Sequence, residues 1–372
     1  MSRSRWAERL AAIEAAGRTR RIVDLVPTGP TTALLDGDEV VVACSNDYLG
    51  LAWDPEVRAA AAGGGSGGSR LISGARPVHR ALEQAVGAWL ERDVVLFGSG
   101  YLANLAVMST FGEQGLRVAS DAANHASLID GLRLSRAERL VVPHARPDAV
   151  PADVDLLVLE GLFSMDGDVP PLAAYPRGPC LVVDEAHAVG CLGPGGRGAA
   201  AMLGVAPDVV VGTFGKAFGA AGAFAAGPPE AIELLVNAGR SFIFTTALPE
   251  PVAAMALAGV RRAADGALRE RLHHNVARLR AGLRDLGWSP LGEHHVVPVV
   301  TGPAATTHAA RLRAAGVFAP PIRWPTVPAG AERIRFTVSA AHTAEQLDRI
   351  CDALGPIGRA TSDEGPSEPV AR

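Results

Sequence analysis

The stretch 208-DVVVGTFGKAFG-219 runs from a β-rich apolar segment straight into the only lysine of the chain. Three successive valines suit a strand buried on both faces, and the small residues after them end it. Every other long basic side chain is arginine, so Lys216 stands alone. A guanidinium stays protonated at any working pH, whereas a desolvated lysine amine can lose its proton and form a Schiff base. Isolation alone does not separate a stray lysine from a nucleophile. The neighbourhood does.

Working outward, similar apolar runs occur at VVLF (94–97), VDLLVLE (154–160) and CLVVDE (180–185). Helical patterns alternate with them at HRALEQAVGAWLE (79–91), YLANLAVMSTFG (101–112) and PEAIELLVNAG (229–239). That alternation predicts an α/β unit over 46–250, with a mostly parallel central sheet and helices on both faces. Residues 1–45 read as an N-terminal helix and arm. From Pro249 the texture changes: an arginine-dotted helix to about Leu286, VVPVV (296–300), a helix near 306–315, and IRFTVS (334–339). Thr343 and Gln346 form a capping box for the last helix. This predicts a smaller α+β domain over 251–357, and the polar tail 358–372 is expected to be disordered.

Net charge of −4 argues against nucleic acid as a partner. The four cysteines lack a C-x-x-C pair, so they read as reduced thiols of a cytoplasmic protein, with no zinc site. No apolar run reaches membrane-spanning length. The pairs His273/His274 and His294/His295 have no metal-ligand spacing and read as surface or packing residues.

Two strings are decoys. The run 63-GGGSGG-68 satisfies both G-x-G-x-x-G and G-x-S-x-G, but a helical PEVRAAAA precedes it where each motif needs a strand. The string 184-DEAH-187 invites an NTPase reading. That chemistry needs G-x-x-x-x-G-K-[ST], and at the sole Gly-Lys pair Val210 and Ala217 occupy required positions.

Asp184 ends a buried strand, where open α/β sheets place their ligand sites. His187 lies three residues on, and Lys216 follows the next strand. Pyridoxal phosphate (PLP) needs a lysine for its imine, commonly a carboxylate for its pyridine nitrogen, and donors for its phenolate and phosphate. Thr213 could donate to the phosphate. The segment 98-GSGYLAN-104 follows a strand and opens a helix, which suits an anion.

With these residues in place, the chain resembles the α-oxoamine synthases, a family of fold-type I PLP enzymes, over nearly its whole length. The matching segments include 45-SNDYLGL-51, 67-GGSRLISG-74, 124-NHASLIDG-131, 163-FSMDGD-168, 184-DEAHAVGCLGPGGRG-198, 213-TFGKAFG-219, 242-FIFTTALPEP-251 and 325-PTVPAG-330. The last of these and 333-RIRFTVSAAH-342 look most like the members that join L-alanine to a pimeloyl thioester of coenzyme A or an acyl carrier protein. Sister enzymes using glycine remain the alternative.

The resemblance implies Lys216 as the imine residue, Asp184 as the pyridinium partner, and His187 and Ser164 as phenolate contacts. It implies His125 stacked on the ring and touching substrate, Gly100 and Tyr101 beside the phosphate with Thr213, and Thr246 reaching the phosphate of a neighbouring subunit in a homodimer. Arg323 and Thr326 would contact substrate, and Arg20 or Arg21 the acyl group. Between His125 and Ser164 this chain is shorter than is usual in the family, and Trp324 replaces a smaller proline.

Overall fold

The computed structural model describes residues 3–358, so the predicted tail lies outside the described residues, apart from Gly358. Its frame is a seven-stranded sheet in the order Asp93–Phe97, Ala223–Gly227, Val209–Thr213, Cys180–Asp184, Leu156–Glu160, Arg117–Asp121, Glu138–Val142. Ala223–Gly227 runs antiparallel to both neighbours, and every other pairing is parallel. The two-residue period of a strand explains the two-sided burial. Val209 and Val211 pack with Ala103, Ala106 and Val107 of the Gly100–Phe111 helix. Val210 turns to the other face, into the core shared with Ala253 and Ala256 of the Glu250–Ala263 helix.

Three strands of this sheet escaped sequence reading. Ala223–Gly227 is built of alanine, phenylalanine and glycine, while Arg117–Asp121 and Glu138–Val142 carry charges at their ends. The link from Glu138–Val142 to Leu156–Glu160 crosses a strand with only the 3₁₀ turn Pro147–Ala149. Val150, Val154, Leu172 and Tyr175 cover that face in place of a helix. Loop and 3₁₀ side chains therefore seal that face of the sheet.

The arginine-dotted helix is two helices. Glu250–Ala263 stops, and Asp265 caps Gly266–Asp285 by accepting the Ala267 N–H at 3.0 Å. Val296–Val300, Arg333–Thr337 and Pro321–Ile322 form an antiparallel sheet, and Thr343 and Gln346 cap Ala344–Leu354 as expected. The arm's Asp38–Val42 strand pairs in parallel with Val317–Phe318, so the N-terminal arm is stitched to the C-terminal part. Among the described residues no helix is long and apolar enough to cross a membrane.

Candidate active site

In the sheet register Glu160 lies opposite Asp184, and Asp184 opposite Val211, two residues before Thr213. These C-terminal strand ends open into a cavity of about 200 Å³. Gly100, Tyr101, His125, Asp184, His187, Thr213 and Lys216 all line it. Side chains from four separate elements thus meet at the place where a parallel sheet leaves a crevice.

Lys216 is half-buried, and burial lowers its amine to about 8, against the opposing pull of Asp184 and Glu160. Asp184 is buried; its Oδ2 accepts from Asn104 Nδ2 at 2.6 Å and its Oδ1 from the Ala186 N–H at 2.9 Å. His187 sits behind, with Nδ1 2.6 Å from the Tyr48 hydroxyl and its carbonyl accepting from His295 Nε2 at 2.8 Å. Burial, then the charge of Lys216, holds the His187 imidazole well below its ordinary range, so it is neutral.

His125 caps the Ala126–Leu134 helix, its Nδ1 accepting the Ser127 N–H at 3.2 Å. The Ser127 hydroxyl is also 2.8 Å from Nδ1. An Nδ1 that accepts leaves the proton on Nε2. Burial lowers the His125 pKa despite Asp184, which agrees with a neutral ring. Gly100 and Tyr101 begin the Gly100–Phe111 helix, capped by Ser99, whose Oγ accepts from the Leu102 N–H at 3.3 Å. The positive end of that helix therefore borders the cavity. The Tyr101 hydroxyl itself turns away, to Asp130. The Thr213 hydroxyl donates to the Gly222 carbonyl at 2.9 Å, so its proton serves the backbone in this conformation, unlike the phosphate role expected.

Five expected residues lie elsewhere. Ser164 is on the loop after Leu156–Glu160, outside the cavity lining, with its carbonyl held by Arg335 Nε. Thr246 is exposed and lines a separate small pocket beside Arg70 and Thr245. Arg20, Arg323 and Thr326 gather in a second cleft of about 390 Å³ with Arg18 and Trp324. There the Arg18 guanidinium stacks 4.9 Å over the Trp324 ring.

Sequence reading missed Asn104, Glu160, Tyr48 and His295. Asn104 lies inside 98-GSGYLAN-104, one helical turn after Gly100, and that spacing was the available signal. Glu160 ended a recognised strand as Asp184 did. His295, expected as packing, is fully buried against the Tyr48 ring with centroids 4.2 Å apart.

The decoys resolve structurally. Ser66 of the glycine run donates to the Leu248 carbonyl at 2.7 Å, and Gly64 accepts the Glu250 N–H, so the run is tied to a loop. Glu185 of the DEAH string points away from the cavity and accepts the Ala199 and Ala200 N–H groups. A Cβ at Gly161 or Gly198 would sit under 3.0 Å from its carboxylate, so glycine is required at both.

A mostly parallel sheet, an amine and a carboxylate at neighbouring strand ends, and a helix N-terminus beside them define a class. Residues 38–354 match the model of aminotransferase class I and II, and the chain belongs to that family. The 8-amino-7-oxononanoate synthase of Halorhodospira halophila is 43% identical over 383 residues, covering 96% of this chain and 95% of that protein. The enzyme of the same name from Burkholderia thailandensis is 44% identical, covering 93% and 95%. Among solved structures, Sphingomonas wittichii serine palmitoyltransferase is similar with a TM-score of 0.86 at 32% identity, covering 95% of this chain and 96% of that chain. An SPT solved with its PLP internal aldimine has a TM-score of 0.87 at 30% identity, covering the same shares.

Proposed function

We propose that this chain is a PLP-dependent acyltransferase that condenses L-alanine with a pimeloyl thioester. The products are 8-amino-7-oxononanoate, carbon dioxide and the free thiol carrier, a step of biotin biosynthesis. The observation that carries the reading is the meeting of Lys216, Asp184 and the Gly100 helix terminus in one cavity. An amine, a buried acid and an anion-binding end are the three groups that PLP requires.

When bound, PLP would supply a ring that withdraws electrons from the Cα of an attached amino acid. Lys216 Nζ would hold its aldehyde carbon and Asp184 the proton of its ring nitrogen. Gly100 and Tyr101 amides would hold its phosphate, and His187 its phenolic oxygen. With alanine bound, the Lys216 Nζ amine would remove the alanine Cα proton. A pKa of about 8 suits this, because the neutral base is populated near working pH. The new bond joins that Cα to the thioester carbonyl, the thiol leaves, and the former alanine carboxylate departs as carbon dioxide. Lys216 then returns the proton to Cα. His125, neutral with its proton on Nε2, orients the substrate carboxylate and donates a hydrogen bond there. Buried Tyr48, His187 and His295 exclude water from the rear wall.

Arg323, Thr326 and Arg20 serve the acyl thioester. The working form in this reading is a cytoplasmic homodimer in which Thr246 of one copy reaches the phosphate of the other. The test is carbon dioxide release with alanine, glycine and serine across a panel of acyl thioesters. Alanine with the pimeloyl thioester should exceed all other pairs; preference for glycine or serine would move the chain to a sister activity.

A further inference from the structure

Glu160 is a second buried acid in the cavity wall, with no role in the chemistry above. It is 3% exposed and lies register-opposite Asp184 on the adjacent parallel strand. The two carboxylates differ in their donors. Asp184 accepts from Asn104 and from the Ala186 N–H, one donor to each oxygen. Among the described residues Glu160 accepts only the His125 N–H, at 2.5 Å through Oε1. Among the described residues no arginine or lysine pairs with it. One ammonium, Lys216, faces both acids across the same cavity. Two charged acids beside one ammonium would leave a negative charge uncompensated in a buried wall. Protonating the acid with fewer donors removes that charge.

We propose that Glu160 is a protonated carboxylic acid in the working site and acts as a positioning residue. Its carbonyl oxygen holds the His125 amide, fixing the start of the Ala126–Leu134 helix and the aim of the His125 ring. Its neutrality leaves Asp184 as the charged carboxylate of the pair. Burial, reinforced by the charge of Asp184, raises the Glu160 pKa well above the carboxylate range, while the His125 amide and Lys216 pull it down and Asp121 adds to the rise. Besides these groups, the His125 ring borders the same cavity.

The experiment uses the PLP-loaded enzyme, its E160Q and E160L variants, and infrared spectroscopy at about pH 7. A protonated buried carboxyl shows a carbonyl stretch above the amide band that shifts in heavy water. Buried Glu185, its pKa raised to about 7, contributes to both proteins, so the band of Glu160 is the one present in the wild-type-minus-E160Q difference. Glutamine copies the neutral acid, so E160Q should keep kcat within about threefold and the pH midpoint of the Lys216 imine absorbance nearly unmoved. E160L should lose kcat by about 10²-fold, because His125 is no longer held. Absence of the band, or a midpoint displaced in E160Q by about one pH unit or more, overturns the proposal. The inference rests on the functional reading only for kcat. A wild type that shows the band but releases no carbon dioxide from alanine would sink that reading and leave a protonated Glu160 standing.

Discussion

The cavity around Lys216 and the cleft around Arg323 hold their charges in opposite ways. In the first, Asp184, Glu160 and His187 are buried and fixed by strand register and a shell of hydrogen bonds. In the second, Arg20, Arg323, Trp324 and Thr326 are exposed, and Arg323 donates to the Gly17 carbonyl at 3.5 Å. Burial can retune an ionisable group, as it does the Lys216 amine; exposure leaves a guanidinium as a solvated point of attraction. The cavity is therefore suited to proton transfer and covalent chemistry, and the cleft to gathering an anionic substrate.

The contrast breaks most sharply at Lys216. Lys216→Ala should abolish the visible imine band and lower kcat at least ~10⁴-fold, and Lys216→Arg should be as inactive, since it keeps charge without nucleophilicity. In the wild type, imine formation after mixing with PLP should quicken as pH rises towards about 8 and level off above it. Only the deprotonated amine attacks, so a rate flat across that window would contradict a depressed Lys216. Asp184→Asn should come next. It keeps the shape and the Ala186 contact but loses the charge, and kcat should fall by about 10²–10³-fold in steady-state assays.

A third test probes the tie between the sheet and the loop that carries Ser164. His144 Nδ1 and Nε2 lie 2.9 Å from Asp121 and 3.1 Å from Asp168, and these two bonds raise its pKa to about 10. A raised folded-state pKa contributes stability that is fully present below about 6.5 and lost as pH rises through about 10. His144→Gln should cost about 2 kcal/mol at pH 6 and much less above pH 10, read by denaturant melts. Equal losses at both pH values would show that the imidazolium is not the tie.

The smallest effects belong to the exposed cleft. Arg323→Ala should raise KM for the acyl thioester about tenfold with little change in the imine band. Salt at 1 M, where screening acts over about 3 Å, should raise the same KM about two- to threefold and leave the band unmoved. A Lys216 band that followed the salt would erase the distinction between the two regions.

The strands ending at Glu160, Asp184 and Thr213 were legible because each is a nearly continuous apolar run. Ala223–Gly227 was not, since small residues carry little β signal until neighbours bury them. The region 250–285 looked like one helix because arginine and alanine favour helix throughout, and the break at Asp265 depends on a single cap. Asp184, His187 and Lys216 stood out through local chemistry. Glu160 and Asn104 did not, because nothing near them in the chain says that they meet Asp184.

By itself, then, the amino-acid order determined the α/β alternation, the lone lysine after a buried strand and the acid at the strand end, since each is a property of a few consecutive residues. Only the tertiary structure decided that Glu160 lies beside Asp184, that Thr213 spends its proton on Gly222, and that Arg20 joins Arg323 in a cleft of their own. The physical reason is that register and burial are set between segments far apart in the chain, and a side chain's charge depends on what those segments bring to it.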